Sequence, residues 1–122
     1  MSEPLALTVS LRGTREVHGH YQVIHLVGQL DAYSEQHVRR VLGKLMEEGP
    51  SHVILDLSKI DFLDSSGLGV LVQLAKQSQG GAGSFQIVTS PRVTQSVKMV
   101  RLEKFLALQP TLETAIQQIP AP

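Results

Sequence analysis

The sequence predicts a single α/β domain with a mixed, mostly parallel sheet of about four to five strands and about four helices. Three patterns indicate this fold class. Apolar and polar residues alternate near the start of the chain, apolar residues recur at helical spacing further on, and short apolar runs separate the helical segments. Strands that alternate with helices pair in parallel through crossover helices. A length of 122 residues with 42% apolar side chains suffices for one domain with one core.

The start of the chain is predicted to form a hairpin of two strands. Residues 5–11 alternate leucine and valine with smaller or polar residues, which is the period of a strand with one buried face. Residues 21–27 form the second strand, which Gly28 ends. The polar residues 12–19 between them include two glycines and are predicted to be a turn.

The centre of the chain alternates helices and strands. Residues 34–48 have helical spacing, with Ser34 as the N-cap and Gly49-Pro50 as the stop. The apolar residues 53–57 indicate a strand that is covered on both faces. Helical spacing then returns and ends at the glycine-rich residues 80–83.

The last part of the chain repeats this alternation. Residues 85–88 are predicted to form a strand, and Ser90 and Pro91 start a third helix as its cap and first residue. Residues 105–108 indicate a short edge strand. Pro110-Thr111 opens the last helix.

The composition excludes several classes of function. Lys and Arg total 11, as do Asp and Glu, and there are only 2 Tyr and 3 Phe with no Trp. A nucleic-acid binder usually carries a basic excess and stacking aromatics, so we expect no nucleic-acid partner. The absence of Cys excludes thiol catalysis, thiolate metal sites and disulfides. No signal peptide or spanning apolar run is recognisable, so we expect a cytoplasmic protein with no membrane contact.

One polar insert interrupts an apolar run at IDFLDSSGLGVLV, residues 60–72. It lies between a buried strand and a helix, at the carboxyl end of the strand, where open α/β sheets usually bind ligands and partners. Asp64, Ser65 or Ser66 can each cap the helix. On one interpretation the insert is only a cap. Against it, Gly67 and Gly69 each cost the helix about 1 kcal/mol relative to Ala, and a broken local rule often marks a functional site.

A serine at this position is also well placed to carry a phosphate. The free N–H groups and the dipole at a helix N-terminus stabilise added negative charge. The nearby carboxylates of Asp61 and Asp64 oppose it by repulsion. This balance indicates a phosphate that alters the surface without unfolding the helix.

The same residues carry a resemblance to a known family. FLDSSGLGVLV, with the preceding VILDLSKI, resembles the signature of the STAS domain, specifically of the bacterial anti-sigma factor antagonists. Residues 28–31 resemble the family's G-x-L-D element, and Ser90-Pro91 with Val93 resembles its S-P-x-V helix start. Residues 102–105 resemble a late L-x-K-x segment. The resemblance implies one STAS domain over residues 1–122, with its core at about 5–119.

The resemblance implies a regulated binding protein rather than an enzyme, with no cofactor and no metal. The partner is a serine kinase that uses ATP and is also an anti-sigma factor. The unphosphorylated antagonist binds it and releases the sigma factor, phosphorylation of Ser65 blocks binding, and a PP2C-type phosphatase restores it. We expect a monomer when the protein is free. The implied partner-binding residues are Asp31, Asp64, Ser66, Gly67 and Gly69, with Asp31 and Asp64 beside Ser65.

The chain departs from the family pattern at three positions. Gln29 stands where an acidic residue is common, Glu35 where a small residue is frequent, and Arg101 where glycine is frequent. These departures concern the identity of the partner more than the fold. Within the same fold, the alternative is a STAS scaffold without a phosphate switch, or an accessory subunit of a signalling or transport complex.

Three other classes of site are disfavoured. A hydrolase elbow needs G-x-S-x-G, but the sequence around Ser66 lacks the first glycine. Gly67-Leu68-Gly69 does not continue as a dinucleotide or phosphate-binding motif. His18 and His20 have no acidic or Cys partner set nearby in sequence, so an exposed turn is favoured over a metal site.

Overall fold

The computed structural model describes residues 2–122 as an α/β sandwich of one sheet with helices on both faces. Within these residues six strands and four helices follow one another along the chain. In order they are β1 (Ser2–Thr8), β2 (Leu11–His18), β3 (Tyr21–Leu30), α1 (Glu35–Glu48), β4 (His52–Leu63), α2 (Ser65–Gln79), β5 (Ser84–Val88), α3 (Pro91–Met99), β6 (Ala107–Gln109) and α4 (Leu112–Gln117).

The strands lie in the sheet in their order along the chain, from β1 to β6. β1, β2 and β3 pair antiparallel, and β3 to β6 pair parallel. The predicted fold class, a mixed and mostly parallel sheet with helical crossovers, is therefore confirmed. The predicted number of strands was too low, because the sheet has six.

The additional strand is β2, which occupies the segment 12–19 that was predicted to be a turn. It pairs along its whole length with β3 and along most of it with β1. The predicted first strand, 5–11, is divided by a tight turn in which Val9 is fully exposed at 102%. Ladder bonds on both sides hold β2 in place, so non-local pairing overrides its polar composition.

Gly28 does not end β3 as predicted; the strand continues through it to Leu30. Its φ is 120°, in a region that residues with a side chain rarely adopt. A Cβ there would lie 2.1 Å from the Ser10 carbonyl oxygen, so only glycine lets the β1–β2 turn approach β3. The register with β4 shifts at this point, which marks a bulge rather than a terminus.

The sheet buries apolar side chains on both faces, and β4 shows this most directly. Val53, Leu55 and Leu57 face the larger core cluster, which includes buried residues of α1, α2 and α3. Ile54 faces a smaller cluster beneath α4. The prediction of a strand covered on both faces is therefore confirmed.

A polar network crosses three strands on the α4 face of the sheet. His25 Nδ1 lies 2.8 Å from Asp56 Oδ2, and His25 Nε2 lies 2.9 Å from Glu16 Oε2. Burial alone would raise the pKa of Asp56, but hydrogen bonds from Ser58 and His25 outweigh it and hold that pKa below its ordinary value. Hydrogen bonds from His18 and His25 likewise lower the pKa of Glu16.

The parallel strands β3 to β6 end at one edge of the sheet, here called the carboxyl edge. A helix follows each of these strands, so the loops at 31–34, 64, 89–90 and 110–111 all lie there. Open α/β sheets bind partners at this edge. None of the helices within residues 2–122 has the length and apolar character needed to cross a bilayer.

Candidate partner-binding site

Ser65 is the first residue of α2, and its side chain is exposed. Of the three residues that were candidates for the cap, Asp64 fills this role. It has extended backbone, and its Oδ1 accepts a hydrogen bond from the Gly67 N–H at 3.0 Å. Because Asp64 satisfies the helix terminus, the Ser65 hydroxyl is not needed as a cap and remains at the surface.

Asp31 and Asp64 follow directly on neighbouring strands. Leu30 and Leu63 are partners in the parallel register of β3 and β4, and the Asp64 N–H donates to the Leu30 carbonyl at 3.4 Å. The two aspartates are therefore the first residues beyond a paired position. The structure brings Asp31, Asp64 and Ser65 to one place on the carboxyl edge.

The carboxylate of Asp31 organises the start of α1. Its Oδ1 accepts hydrogen bonds from the Tyr33 N–H at 3.0 Å and the Ser34 N–H at 3.1 Å. In return, Ser34 Oγ accepts from the Asp31 N–H at 2.9 Å. This reciprocal pair has the form of a capping box, with Asp31 in the capping role.

Ser34 stands at the N-cap position of α1, as predicted, but its side chain does not cap the helix. Ser34 precedes the helix, but its backbone is already helical and its hydroxyl makes no cap bond. It is almost fully buried, and its hydroxyl is directed back to the Asp31 backbone and the Gln29 carbonyl. The loop from β3 to α1 is therefore a rigid turn, and Asp31 has a fixed position.

The two glycines of the insert have different surroundings. A Cβ on Gly67 would lie 2.4 Å from the Leu30 carbonyl oxygen and 2.6 Å from Leu63 Cδ1, so the packing of α2 on the sheet requires this glycine. A Cβ on Gly69 would meet no atom within 4 Å. The fold therefore explains Gly67 and gives no reason for Gly69.

Gly69 and Ser65 share one exposed face of α2. They are four residues apart, so they lie one above the other on the helix, and Gln73 extends the same row. The opposite side of α2 belongs to the core: Val70 and Leu71 are completely buried, and Leu68 packs against the cluster. Gly69 adds no side chain to this exposed row, so the helix backbone is accessible between Ser65 and Gln73.

Two exposed aromatic side chains at the same edge were not predicted from the sequence. Tyr33 is 90% exposed in the β3–α1 loop, two residues after Asp31. Phe62 is 46% exposed near the end of β4, three residues before Ser65. Aromatic residues are enriched at protein interfaces. The available signal was the position of Tyr33 in a polar turn, where no core needs it.

Around the start of α2 this edge is acidic. Asp61, Asp64 and Asp31 all belong to it, whereas the basic residue of α2, Lys76, lies in the last turn of the helix.

Among residues 2–122 no group of three or more His, Asp or Glu side chains is arranged to hold a metal ion. The expectation that His18 has no acidic partner was wrong: His18 is the last residue of β2, and its Nε2 lies 3.1 Å from Glu16 Oε1. His20, in the β2–β3 turn, bonds through Nε2 to the Pro120 carbonyl.

Comparisons with known proteins agree with this architecture. A sequence model of the family described as STAS domain matches residues 13–115. The chain belongs to the STAS domain family. The resemblance drawn from the D-S-S-G-L-G element is confirmed.

Similar proteins carry the name of anti-sigma factor antagonist. The chain is 26% identical over 117 residues to the anti-sigma-F factor antagonist RsfB of Mycobacterium tuberculosis, covering 95% of this chain and 92% of RsfB. A crystal structure of an anti-sigma factor antagonist from Mycobacterium paratuberculosis superimposes with a TM-score of 0.79 at 25% identity, over 94% of this chain and 98% of that one. The unphosphorylated form of the anti-sigma factor antagonist SpoIIAA has the same fold, with a TM-score of 0.72 at 23% identity over 87% and 94% of the two chains.

Proposed function

We propose that this STAS domain is an anti-sigma factor antagonist whose binding is switched by phosphorylation of Ser65. The observation that carries the proposal is the position of Ser65: exposed, at the first turn of α2, and directly after the capping residue Asp64. It stands on a helix face where Gly69 has no structural role. The names of its relatives support the same role.

In the unphosphorylated state the partner would contact the start of α2. The bare backbone at Gly69 permits a close approach to the helix, because no side chain stands between them. Tyr33 and Phe62 are exposed at the same edge and would contribute apolar contact area. Asp31, Asp64 and Ser66 would complete the surface, and Gly67 would set the position of the helix that presents it.

Phosphorylation would change the charge of this surface without disrupting the fold. A phosphate adds a charge of about −1.5 to −2, and it would stand among the carboxylates of Asp31, Asp61 and Asp64. The N–H groups of the first turn of α2 and the helix dipole would stabilise it locally. A packed partner would meet an unpaired and desolvated charge, which strongly disfavours binding. SpoIIAA is a relative with structures in both phosphorylated and unphosphorylated forms, which supports this comparison.

The partner proposed here is an anti-sigma factor that is also an ATP-dependent serine kinase, and a PP2C-type phosphatase would reverse the modification. The protein itself would act as a kinase substrate and a binding protein in the cytoplasm. The sigma factor would be released when the unphosphorylated antagonist occupies the kinase. Ser65 would serve as the phosphoacceptor, whereas Ser66 is half-buried and would not.

The deciding experiment is mass spectrometry of the protein purified from its native cells, together with Ser65→Ala and the matched variant Ser66→Ala. We expect a phosphate on Ser65 that disappears in Ser65→Ala and persists in Ser66→Ala. A phosphate on Ser66 alone would move the acceptor by one residue. No phosphate under any growth condition would favour the alternative function, a constitutive scaffold or accessory subunit.

A further inference from the structure

A groove at the β5 and β6 end of the carboxyl edge lies outside the proposed phosphorylation site. It has a volume of about 640 Å³ and runs along α3, facing Pro110 of the β6–α4 loop. Pro91, Gln95 and Met99 line it at intervals of four residues, so one face of α3 forms its wall. Ligand-binding clefts in proteins have volumes of about 300–1,000 Å³.

The end of α3 exposes apolar side chains that the core does not use. Met99 is 77% exposed, and the next residue, Val100, is 50% exposed. The inner face of the same helix is completely buried at Val93 and Val97. Methionine adapts its shape to different partners and is enriched at interfaces. Met99 lines the groove, and together with Val100, the next residue along the chain, it is here called the apolar rim.

Arg101 follows this rim in a strained conformation. Its φ is 59°, and the Arg101 and Leu102 N–H groups bond to the carbonyls of Lys98 and Val97 in the pattern of a Schellman motif. The left-handed position of this motif is normally glycine, because a side chain there is strained. An arginine at a position that favours glycine indicates that its side chain has a use.

The charged residue in the groove lining is Lys98, and the segment of chain around it is basic although the net charge of the protein is zero. Residues 89–102 include Arg92, Lys98 and Arg101 but no Asp or Glu, and Glu103 is the first acidic residue after them. An adjoining cavity at the start of α3 contains Asp61 together with Arg92, so charge is mixed at that end. The excess of positive charge lies at the Lys98 and Arg101 end, beside the apolar rim.

We infer that this groove docks an acidic segment of a partner protein that carries an apolar anchor side chain. The anchor would enter between Met99 and Pro110, and its acidic neighbours would pair with Lys98 and Arg101. We favour a peptide segment over a membrane as the partner. A single side chain can enter a concave groove, whereas a membrane surface binds a flat or protruding face. The groove is open along its length, so it would leave much of a small ligand in water, while an extended segment continues beyond it.

The test uses the full chain and a random peptide library displayed on phage. We expect enriched peptides in which Asp or Glu residues flank one apolar residue, with affinity that falls as salt rises. Their binding should perturb the amide resonances of α3 and the β6–α4 loop in heteronuclear NMR spectra. Lys98→Glu should weaken binding about tenfold, because it removes a charged contact and adds repulsion.

Three further variants make the result specific. Lys76→Glu makes the same charge change at an exposed position on α2 and should leave affinity within about twofold. Arg101→Gly removes the strain and the cation together, so it should bind more weakly while folding at least as stably. Ser65→Ala should bind these peptides normally, which separates this docking surface from the proposed phosphorylation switch.

Several outcomes would overturn the inference. These are no enrichment, peptides without acidic residues, resonance changes away from α3, and an equal loss of affinity in Lys76→Glu and Lys98→Glu. Titrations with dodecanoate and with phosphatidylglycerol vesicles test the other sources of negative charge. If dodecanoate or the vesicles bind saturably in a way that depends on Lys98, and no peptide binds, the partner of the groove is an amphiphile or a membrane and not a peptide segment.

Discussion

Gly67 and Leu30 approach so closely that a methyl group on the glycine would lie 2.4 Å from the leucine carbonyl oxygen. That contact seats the first turn of α2 on the end of β3, and it therefore sets the position of Ser65 relative to Asp31. Gly69, two residues later, makes no comparable contact. The fold thus requires glycine at position 67 but not at position 69.

The two alanine variants should change stability in opposite directions. Gly67→Ala should lower the free energy of unfolding by about 2–3 kcal/mol, because the methyl group overlaps backbone and the Leu63 side chain. Gly69→Ala should raise it by up to about 1 kcal/mol, since alanine is the better helix former and has open space. Urea denaturation of both variants checks this prediction.

Gly69→Ala should also weaken partner binding, since its methyl group would intrude on the face it shares with Ser65. Gln73→Ala lies on the same row of α2 and shortens its side chain, so it serves as the matched control. If Gly69→Ala is stabilised and still phosphorylated at the wild-type level, the bare helix backbone has no part in recognition.

The sequence was sufficient to predict α2, the unusual glycines at its start and the buried centre of β4 at residues 53–57, because these depend on local spacing. It did not predict that β4 continues to Leu63. It was not sufficient for β2. That strand has the composition of a turn, and only the ladder bonds with β1 and β3 make it a strand. Its alternation was present in weak form, since Leu11 and Gly13 are buried and Arg12 is exposed.

Around Ser65, the sequence predicts which residues lie close together but not all of their contacts. Three residues were equal candidates for capping α2, and the structure selects Asp64. Ser34 was predicted as a cap from its type alone, whereas the Asp31 carboxylate reaches the turn first. The exposure of Phe62 could not be predicted, because it depends on which strands and helices cover that position, whereas the polar turn around Tyr33 was a signal that was missed.

Replacement of Arg101 by glycine should stabilise the protein. The residue adopts a φ of 59°, which costs a side-chain-bearing residue about 1–2 kcal/mol relative to glycine. Glycine also loses more conformational entropy on folding, so the expected net gain is about 1 kcal/mol. Thermal and urea unfolding measure it. Arg101→Ala is the control: it removes the charge, keeps the strain, and should give no such gain.

The polar network of Glu16, His25 and Asp56 makes stability depend on pH in acid. The folded-state pKa values of both carboxyl groups lie below their ordinary values. Their contribution is therefore complete above the unfolded pKa of about 4 and is lost as pH falls through the lower folded values. Unfolding free energy measured by urea titration from neutral pH downward should decline over this range.

Asp56→Asn isolates that contribution. It should lower stability at neutral pH and give a shallower decline in acid, because one of the two shifted groups no longer titrates. Asp61→Asn removes a carboxylate that is exposed on the same strand, and it should leave the pH profile of the wild type nearly unchanged. Equal slopes for Asp56→Asn and the wild type would show that the network does not contribute.

The carboxylate of Asp31 has a structural role and a proposed functional one, and two substitutions separate them. Asp31→Ala should lower stability by about 1 kcal/mol, because the cap to the Tyr33 and Ser34 N–H groups is lost. Asp31→Asn retains an oxygen acceptor in place of Oδ1 and should fold almost as stably as the wild type. Both variants remove the negative charge next to the Ser65 site.

If that charge contributes to kinase recognition, the fraction of Ser65 that is phosphorylated in native cells should fall by a similar factor in Asp31→Ala and Asp31→Asn. Mass spectrometry of both variants beside the wild type measures it. A fall in Asp31→Ala alone would mean that Asp31 acts only by ordering the loop before α1. The carboxylate would then be a positioning group, and recognition would depend on Asp64 and the exposed row of α2.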